Sequence, residues 1–216
     1  MKQLAFFFFL SCFLTIQSQT LVDTIYTEVD NLTEQPSLQL LSQLDGKIEA
    51  FSKSVTVKEE HMALVVLQCQ MGFYYSQFNV IPKAINHYEK AWKRYKAEAL
   101  AGYNMIEYCL KPLGNLYTMS GNFSLAEQTI SSYINFAKQQ NDKAQEVAGM
   151  QNLSVVYNAL GKYTTAQTVL KEALEFTGLT KAQRLQLENN LAASLMSQNK
   201  LDEAEILIAS SNQDVI

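Results

Sequence analysis

Thiol or imidazole chemistry would have few residues to draw on in this chain. His61 and His87 are its two histidines, and Cys12, Cys69 and Cys109 are its three cysteines. Covalent catalysis by a thiol needs a histidine within hydrogen-bond reach and a third group to orient that histidine. His61 precedes Cys69 by about two helical turns, which puts both on one face of a continuous helix. That pair is the one enzymatic reading open to the chain. No orienting residue and no nucleophile motif accompanies it, so a polar surface histidine beside a core cysteine is the stronger reading. Metal binding lacks a cluster of ligands. The sequence therefore predicts a non-enzymatic protein with no catalytic residue, no metal and no cofactor.

The elements that carry these residues are copies of one unit. Gly72, Tyr75, Ala84, Tyr88 and Ala91 are matched at the same offsets by Gly114, Tyr117, Ala126, Ile130 and Tyr133, and again by Ser154, Tyr157, Ala166, Leu170 and Ala173. A weaker copy continues at Ala192, Leu195, Ala204 and Ile208. The anchor position advances by 42, 40 and 38 residues from Tyr75 to Tyr117, Tyr157 and Leu195. Such a period dictates an array of like units rather than one closed core. Apolar residues inside each unit fall at helical spacing, as in Leu110, Leu113, Leu116 and Tyr117, then Phe123, Ala126, Ile130 and Tyr133.

Two antiparallel helices per unit follow, broken at Ser120-Gly121-Asn122, Leu160-Gly161-Lys162 and Asn199-Lys200, where Gly or Asn can take the left-handed conformation. In the first unit, Ser76 to Pro82 leaves the boundary open, with Pro82 expected to start the second helix. The Gly or Ser is expected to face the Ala across each pair. Pro112 interrupts an apolar pattern and predicts a kink or a late helix start. Upstream, Leu21-Val22-Ile25-Tyr26-Val29 and Leu38-Leu41-Leu44-Ile48-Phe51 read as two further amphipathic helices parted by Thr33 to Pro36.

The run Leu113-Gly114-Asn115-Leu116-Tyr117 through Gly121-Asn122-Phe123 to Ala126, with its counterpart from Asn152 to Ala166, resembles the tetratricopeptide repeat family over residues 60 to 212. The periods exceed the family's usual ~34 residues, and the fourth copy lacks the Gly and the Tyr. The resemblance implies an all-α solenoid of antiparallel helix pairs, a superhelix whose concave face is lined by the first helix of each unit. The lining positions are then Cys69, Phe73 and Ser76; Lys111, Asn115 and Thr118; Gln151, Val155 and Asn158; and Asn189, Ala193 and Met196. Family members that grip peptide carboxylates carry a Lys and an Asn where Lys111 and Asn115 stand, and a further Asn at Asn152. The match to that clamp is partial, because Gln186 and Asn190 replace its other basic residues. General peptide contact or helix packing is the expected role of these three.

A further likeness, from Tyr108-Cys109-Leu110-Lys111-Pro112 through Tyr117 and at Asn152 to Tyr157, is to the N-terminal repeats of exported Bacteroidota proteins bearing a C-terminal CHAT domain, a caspase-like peptidase fold. Nothing in residues 1 to 216 matches that peptidase, so any such activity would belong to a downstream part. The absence of a polar cap after Ala209 predicts a longer natural polypeptide. The alternative from the same region is the sensor arm of a histidine kinase.

The chain opens with Lys2 and the apolar run Leu4 to Leu10, followed by small or polar residues up to Thr20. This reads as a secretory signal, too short to span a bilayer. The expected organisation is a signal peptide over 1–18, N-terminal helices over 19–56 and about four repeats over 57–216. Cys12 is a weak lipoprotein candidate, and Cys69 and Cys109 are expected as buried free thiols. Three glycosylation sequons, at Asn31, Asn122 and Asn152, are read as accidental in a bacterial-style exported chain. A net charge of -4 argues against nucleic acid. The basic cluster Lys90, Lys93, Arg94 and Lys96 reads as a solvated helix end. The predicted function is an exported solenoid that binds protein or peptide in its groove, with no membrane association once the signal is removed.

Overall fold

The computed structural model describes residues 21–213. The expected signal, residues 1–18, and Cys12 lie outside the described residues. The chain divides into two compact units, one ending at Cys109 and one beginning at Leu110.

In the first unit, helix α1 covers 21–34, α2 Leu38–Ser54, α3 Lys58–Gln77 and α4 Ile81–Ala97. Ser37 caps α2, its hydroxyl accepting from the Leu40 amide at 3.1 Å. The stripe Leu41, Leu44 and Ile48 is buried, as are Ile25, Val29 and Leu32 of α1. Tyr26, expected on that stripe, is 39 % exposed. Glu60 caps the start of α3: its carboxylate, 3 % exposed, accepts from the Thr56 and Val57 amides at 2.7 and 3.1 Å. Pro82 is the second residue of α4, where a missing N–H leaves nothing unsatisfied. A Cβ on Gly72 would come within 2.9 Å of the Tyr88 ring, so α3 and α4 meet at van der Waals range there.

The second unit comprises α5 (Lys111–Met119), α6 (Phe123–Gln139), α7 (Lys143–Ala159), α8 (Tyr163–Leu174), α9 (Lys181–Ser197) and α10 (Leu201–Gln213). Each packs on its sequence neighbour, and α7 also touches α5 and α9. The first helices of successive repeats therefore lie side by side. The expected Gly-to-Ala contact is corrected by the structure: a Cβ on Gly114 would meet Ile130 Cγ1 at 2.8 Å, as Gly72 meets Tyr88. The partner stands one turn beyond the conserved-offset Ala, because the side chain at that position reaches across to fill the space the glycine leaves. Gly149, which no repeat offset marks, makes the approach between repeats: a Cβ there would lie 2.6 Å from Ile134 Cγ1.

The helix breaks are alike in atomic detail. Asn79, Gly121, Gly161 and Asn199 have φ of 59°, 71°, 71° and 60°. After them, Val80, Asn122, Lys162 and Lys200 donate to the carbonyls of Tyr75, Tyr117, Tyr157 and Leu195 at 2.8, 2.8, 2.8 and 3.0 Å. This is the paired C-terminal hydrogen-bond motif that a left-handed residue closes. The anchor residue of each repeat is thus also the acceptor that ends its helix. Asn79 resolves the boundary that the first repeat left open.

Ahead of Pro112, residues Ile106–Leu110 form a π-helical turn, and α5 starts at Lys111 with Pro112 in its first turn. The helix does not start late at Pro112: it runs on from Met105, and the interruption takes the form of this π turn, whose wider spacing accommodates a ring nitrogen that cannot donate.

Candidate functional site

His61 and Cys69, the one conceivable thiol–imidazole pair, each have other surroundings in the structure. His61 Nδ1 lies 2.8 Å from Arg94 Nη1 and must accept from it, which leaves the proton on Nε2, 3.8 Å from Glu98 Oε2. The same guanidinium donates to Ser52 Oγ at 3.2 Å, so this group ties α2, α3 and α4 together. Cys69 is free and 2 % exposed. His61 is thus committed to a structural bridge and Cys69 to the core of the first unit.

The residues that do assemble like an acid–base site are ones the sequence did not single out together. Asp45 of α2 accepts from Tyr75 Oη and Lys83 Nζ, both at 2.6 Å, and from His87 Nε2 at 2.9 Å. The Tyr75 and His87 rings stack at 5.4 Å with planes 13° apart. Burial by itself would raise the Asp45 pKa, but the bonds from Lys83, Tyr75 and His87 outweigh it and hold the carboxyl below its ordinary value. Burial, reinforced by the bond to Asp45, pushes Tyr75 up to about 12. Burial also lowers His87, 3 % exposed, more than the carboxylate raises it. Neutral His87 donates to Asp45 while its Nδ1 is buried without a partner. The network fastens α2 onto the first helix pair. The signal for it was Asp45 itself, an acid at the i+4 position from Leu41 on an otherwise apolar stripe.

For recognition, the positions expected to line a groove fall in two places. Phe73 lies on α3 of the first unit, 46 % exposed and edge-on to Tyr74 at 5.0 Å. Cys69 and Ser76 share that helix, but Cys69, expected to line the groove, is buried in the core and Ser76 is half-buried. The other positions lie on α5, α7 and α9 of the second unit. Asn115, Val155 (44 %) and Asn189 are exposed there, together with Ala193 and Met196 (53 %), while Lys111, Thr118, Gln151, Asn152 and Asn158 are half-buried. Thr118 spends its hydroxyl on the Gly114 carbonyl at 2.9 Å. Asn158 turns its Oδ1 inward, buried and without a partner. The result is a face rich in amides with exposed Val155 and Met196 among them, spread over three adjacent helices. Among the described residues no group of three or more His, Cys, Asp or Glu side chains is placed to hold a metal ion, and no helix is long and apolar enough to cross a membrane.

Residues 148–177 match the family model for a tetratricopeptide repeat, covering most of α7 and all of α8. The chain takes a tetratricopeptide-like fold. Its similarity to the solved BtubC (BKLC) of P. vanneervenii has a TM-score of 0.64 at 16 % identity over 93 % of this chain and 90 % of that one. The putative kinesin light chain repeats of Podosopora anserina give 0.67 at 16 % identity over 91 % and 94 %. Apo RapI gives 0.63 at 14 % identity over 87 % and 67 %. At these identities the likeness carries the tetratricopeptide-like architecture and no particular ligand. No curated protein matches the sequence.

Proposed function

We propose that the chain is a non-enzymatic binding module that takes an extended peptide or protein segment on the face made by α5, α7 and α9. The observation that carries this reading is the pair of exposed apolar side chains, Val155 and Met196, set among Asn115, Gln151, Asn152 and Asn189 on adjoining helices. Side-chain amides both donate and accept, so they pair with either group of a peptide backbone. Exposed aliphatic residues among them offer area that a ligand would remove from water. Peptides selected from a displayed library against the purified protein test the reading. Asn152→Ala and Val155→Glu should each weaken a selected peptide by about 10-fold or more, one lost hydrogen bond or a buried charge being worth at least that. Unchanged affinity in both variants, with helicity intact, would overturn it.

The finer reading is that the module is exported and forms the recognition arm of a longer CHAT-type protein. Lys2 with the apolar run Leu4 to Leu10 supports export, and the likeness of Tyr108 to Tyr117 supports the association. Immunoblotting of the native gene product in cell fractions tests both. A cytoplasmic product that retains its N-terminus, or a full-length product of only ~22 kDa after signal removal, would remove the corresponding half of the reading.

A further inference from the structure

We infer that the α1–α2 hairpin is a hinged flap, which swings away about the link between Val55 and Thr56 while α3 and α4 stay packed, and which acid favours opening. The backbone sets this hairpin apart. Among the described residues, the joint after each of α3 to α9 contains a residue of positive φ, from Asn79 to Asn199, whereas the joints on either side of α2 contain none. In place of a left-handed turn, α2 and α3 are joined by extended backbone, with Val55 at φ -72°, ψ 131° and Val57 at φ -117°, ψ 159°. The Val55 amide bonds back to the Phe51 carbonyl, and the Thr56 and Val57 amides bond forward to Glu60, so each side closes on its own helix and a rotation between them breaks none of these bonds. Lys47 of α2 holds Glu28 of α1 at 2.6 Å, so the two helices travel together. The α3–α4 pair keeps its own close approach at Gly72 and Tyr88.

A polar seam runs along the surface that the flap covers. At one end Asp45 accepts from Tyr75, Lys83 and His87, and seven residues further along α2 Ser52 accepts from Arg94, whose other amine reaches His61. His61, Gln68 and Tyr75 recur at intervals of seven on α3, and His87 and Arg94 do so on α4, which keeps each set on one face of its helix. Three of the four buried side-chain atoms without a partner among the described residues lie here: His87 Nδ1, Gln68 Oε1 and Arg94 Nε. A buried donor or acceptor left unpaired carries its full desolvation cost, and opening returns all three to water. Acid acts through His87, which faces Asp45 of α2, Tyr75 of α3 and Lys83 and Lys90 of its own helix. In the closed form a proton on Nδ1 has no acceptor, whereas in the open form water supplies one. Burial accordingly holds His87 below 6.5, so the closed form loses ground as pH falls from 6.5 toward the folded value.

Amide hydrogen exchange of the whole chain, read by mass spectrometry of its peptides, is the test. Relative to the unstructured-chain rate, peptides within 21–54 should exchange about 10-fold or more faster than peptides within 60–95, as a segment that opens by itself does. Gln68→Leu, which removes an unpaired acceptor from the seam, should slow exchange within 21–54 several-fold. Asp45→Asn should speed it while leaving 60–95 little changed, and Ser52→Ala, which removes one bond to Arg94, should do the same on a smaller scale. Moving from pH 7 to pH 6 should lower protection within 21–54 alone. One shared rate for both segments, variants that shift both by the same factor, or a loss of protection in acid that is equal in both would each overturn the inference.

Discussion

Asp45 and the glycines show how much single positions decide. Removing the Asp45 carboxylate strands Tyr75, Lys83 and His87 at once. Asp45→Ala should therefore cost about 2–4 kcal/mol in urea unfolding, the range for a broken, partly buried charged network. The same network sets a pH profile. The Asp45 pKa in the fold lies below 3.8, so its contribution is present above that value and is lost as pH falls below it. His87 is depressed below 6.5, so stability also declines as pH drops from 6.5 toward its folded value. Tyr75, raised from 10 to about 12, adds an alkaline edge: its contribution is full below 10 and lost by 12. Urea midpoints followed against pH should fall at both ends, and His87→Gln should make the slope just below pH 6.5 shallower. Gly149→Ala and Gly46→Ala should move in opposite directions. A Cβ at 149 meets Ile134 at 2.6 Å and should cost about 1–3 kcal/mol net, whereas nothing lies within 4 Å at Gly46 in α2, so alanine there should gain about 0.5–1 kcal/mol. Of these residues the sequence marked Gly72 and Gly114, because they recur with the repeat. It did not mark Asp45 or Gly149, whose partners stand 42 residues away on another helix or on the neighbouring repeat.

At the scale of elements, helix identity was legible and helix joining partly so. Apolar spacing placed the helices, and Gly121, Gly161 and Asn199 placed three of the turns, because left-handed backbone leaves a strong sequence mark. Asn79 carried the same mark without a glycine neighbour and was passed over. Ala99 carries none at all: it holds φ 46° as an alanine, in the same hydrogen-bonded turn, with Leu100 donating to the Tyr95 carbonyl at 3.1 Å. Since a β-carbon in that region costs roughly 1–2 kcal/mol, Ala99→Gly should raise stability by about 1 kcal/mol, and Gly121→Ala should lower it by a similar amount, both read from denaturant midpoints. The expected groove held as a set of helices and less well as a set of atoms. Offsets from the repeat glycine found Asn115, Val155 and Asn189 exposed, but could not foresee that Thr118 bonds back to its own helix or that Asn158 turns its oxygen inward.

At the scale of the whole molecule, each unit is compact by itself, and in the second the contacts run between sequence neighbours and between the first helices of successive repeats. The segment 110–213 expressed alone should therefore fold as a helical species with a cooperative melt, checked by circular dichroism; a featureless melt would mean that its core needs residues before Leu110. Such an array is approximately a sum of units and neighbour interfaces. The identical turn chemistry at Gly121 and Gly161 has a practical corollary. Residues 122–161 begin just past the left-handed Gly121 and end on its counterpart Gly161, with the Asn141 turn (φ 55°) joining the two helices between, so they make up a cassette whose two cut points share the same backbone geometry. Duplicating that cassette in frame after Gly161 should lengthen the protein by one helix pair with no new junction to invent, turning the chain into a ruler whose reach can be set one notch at a time.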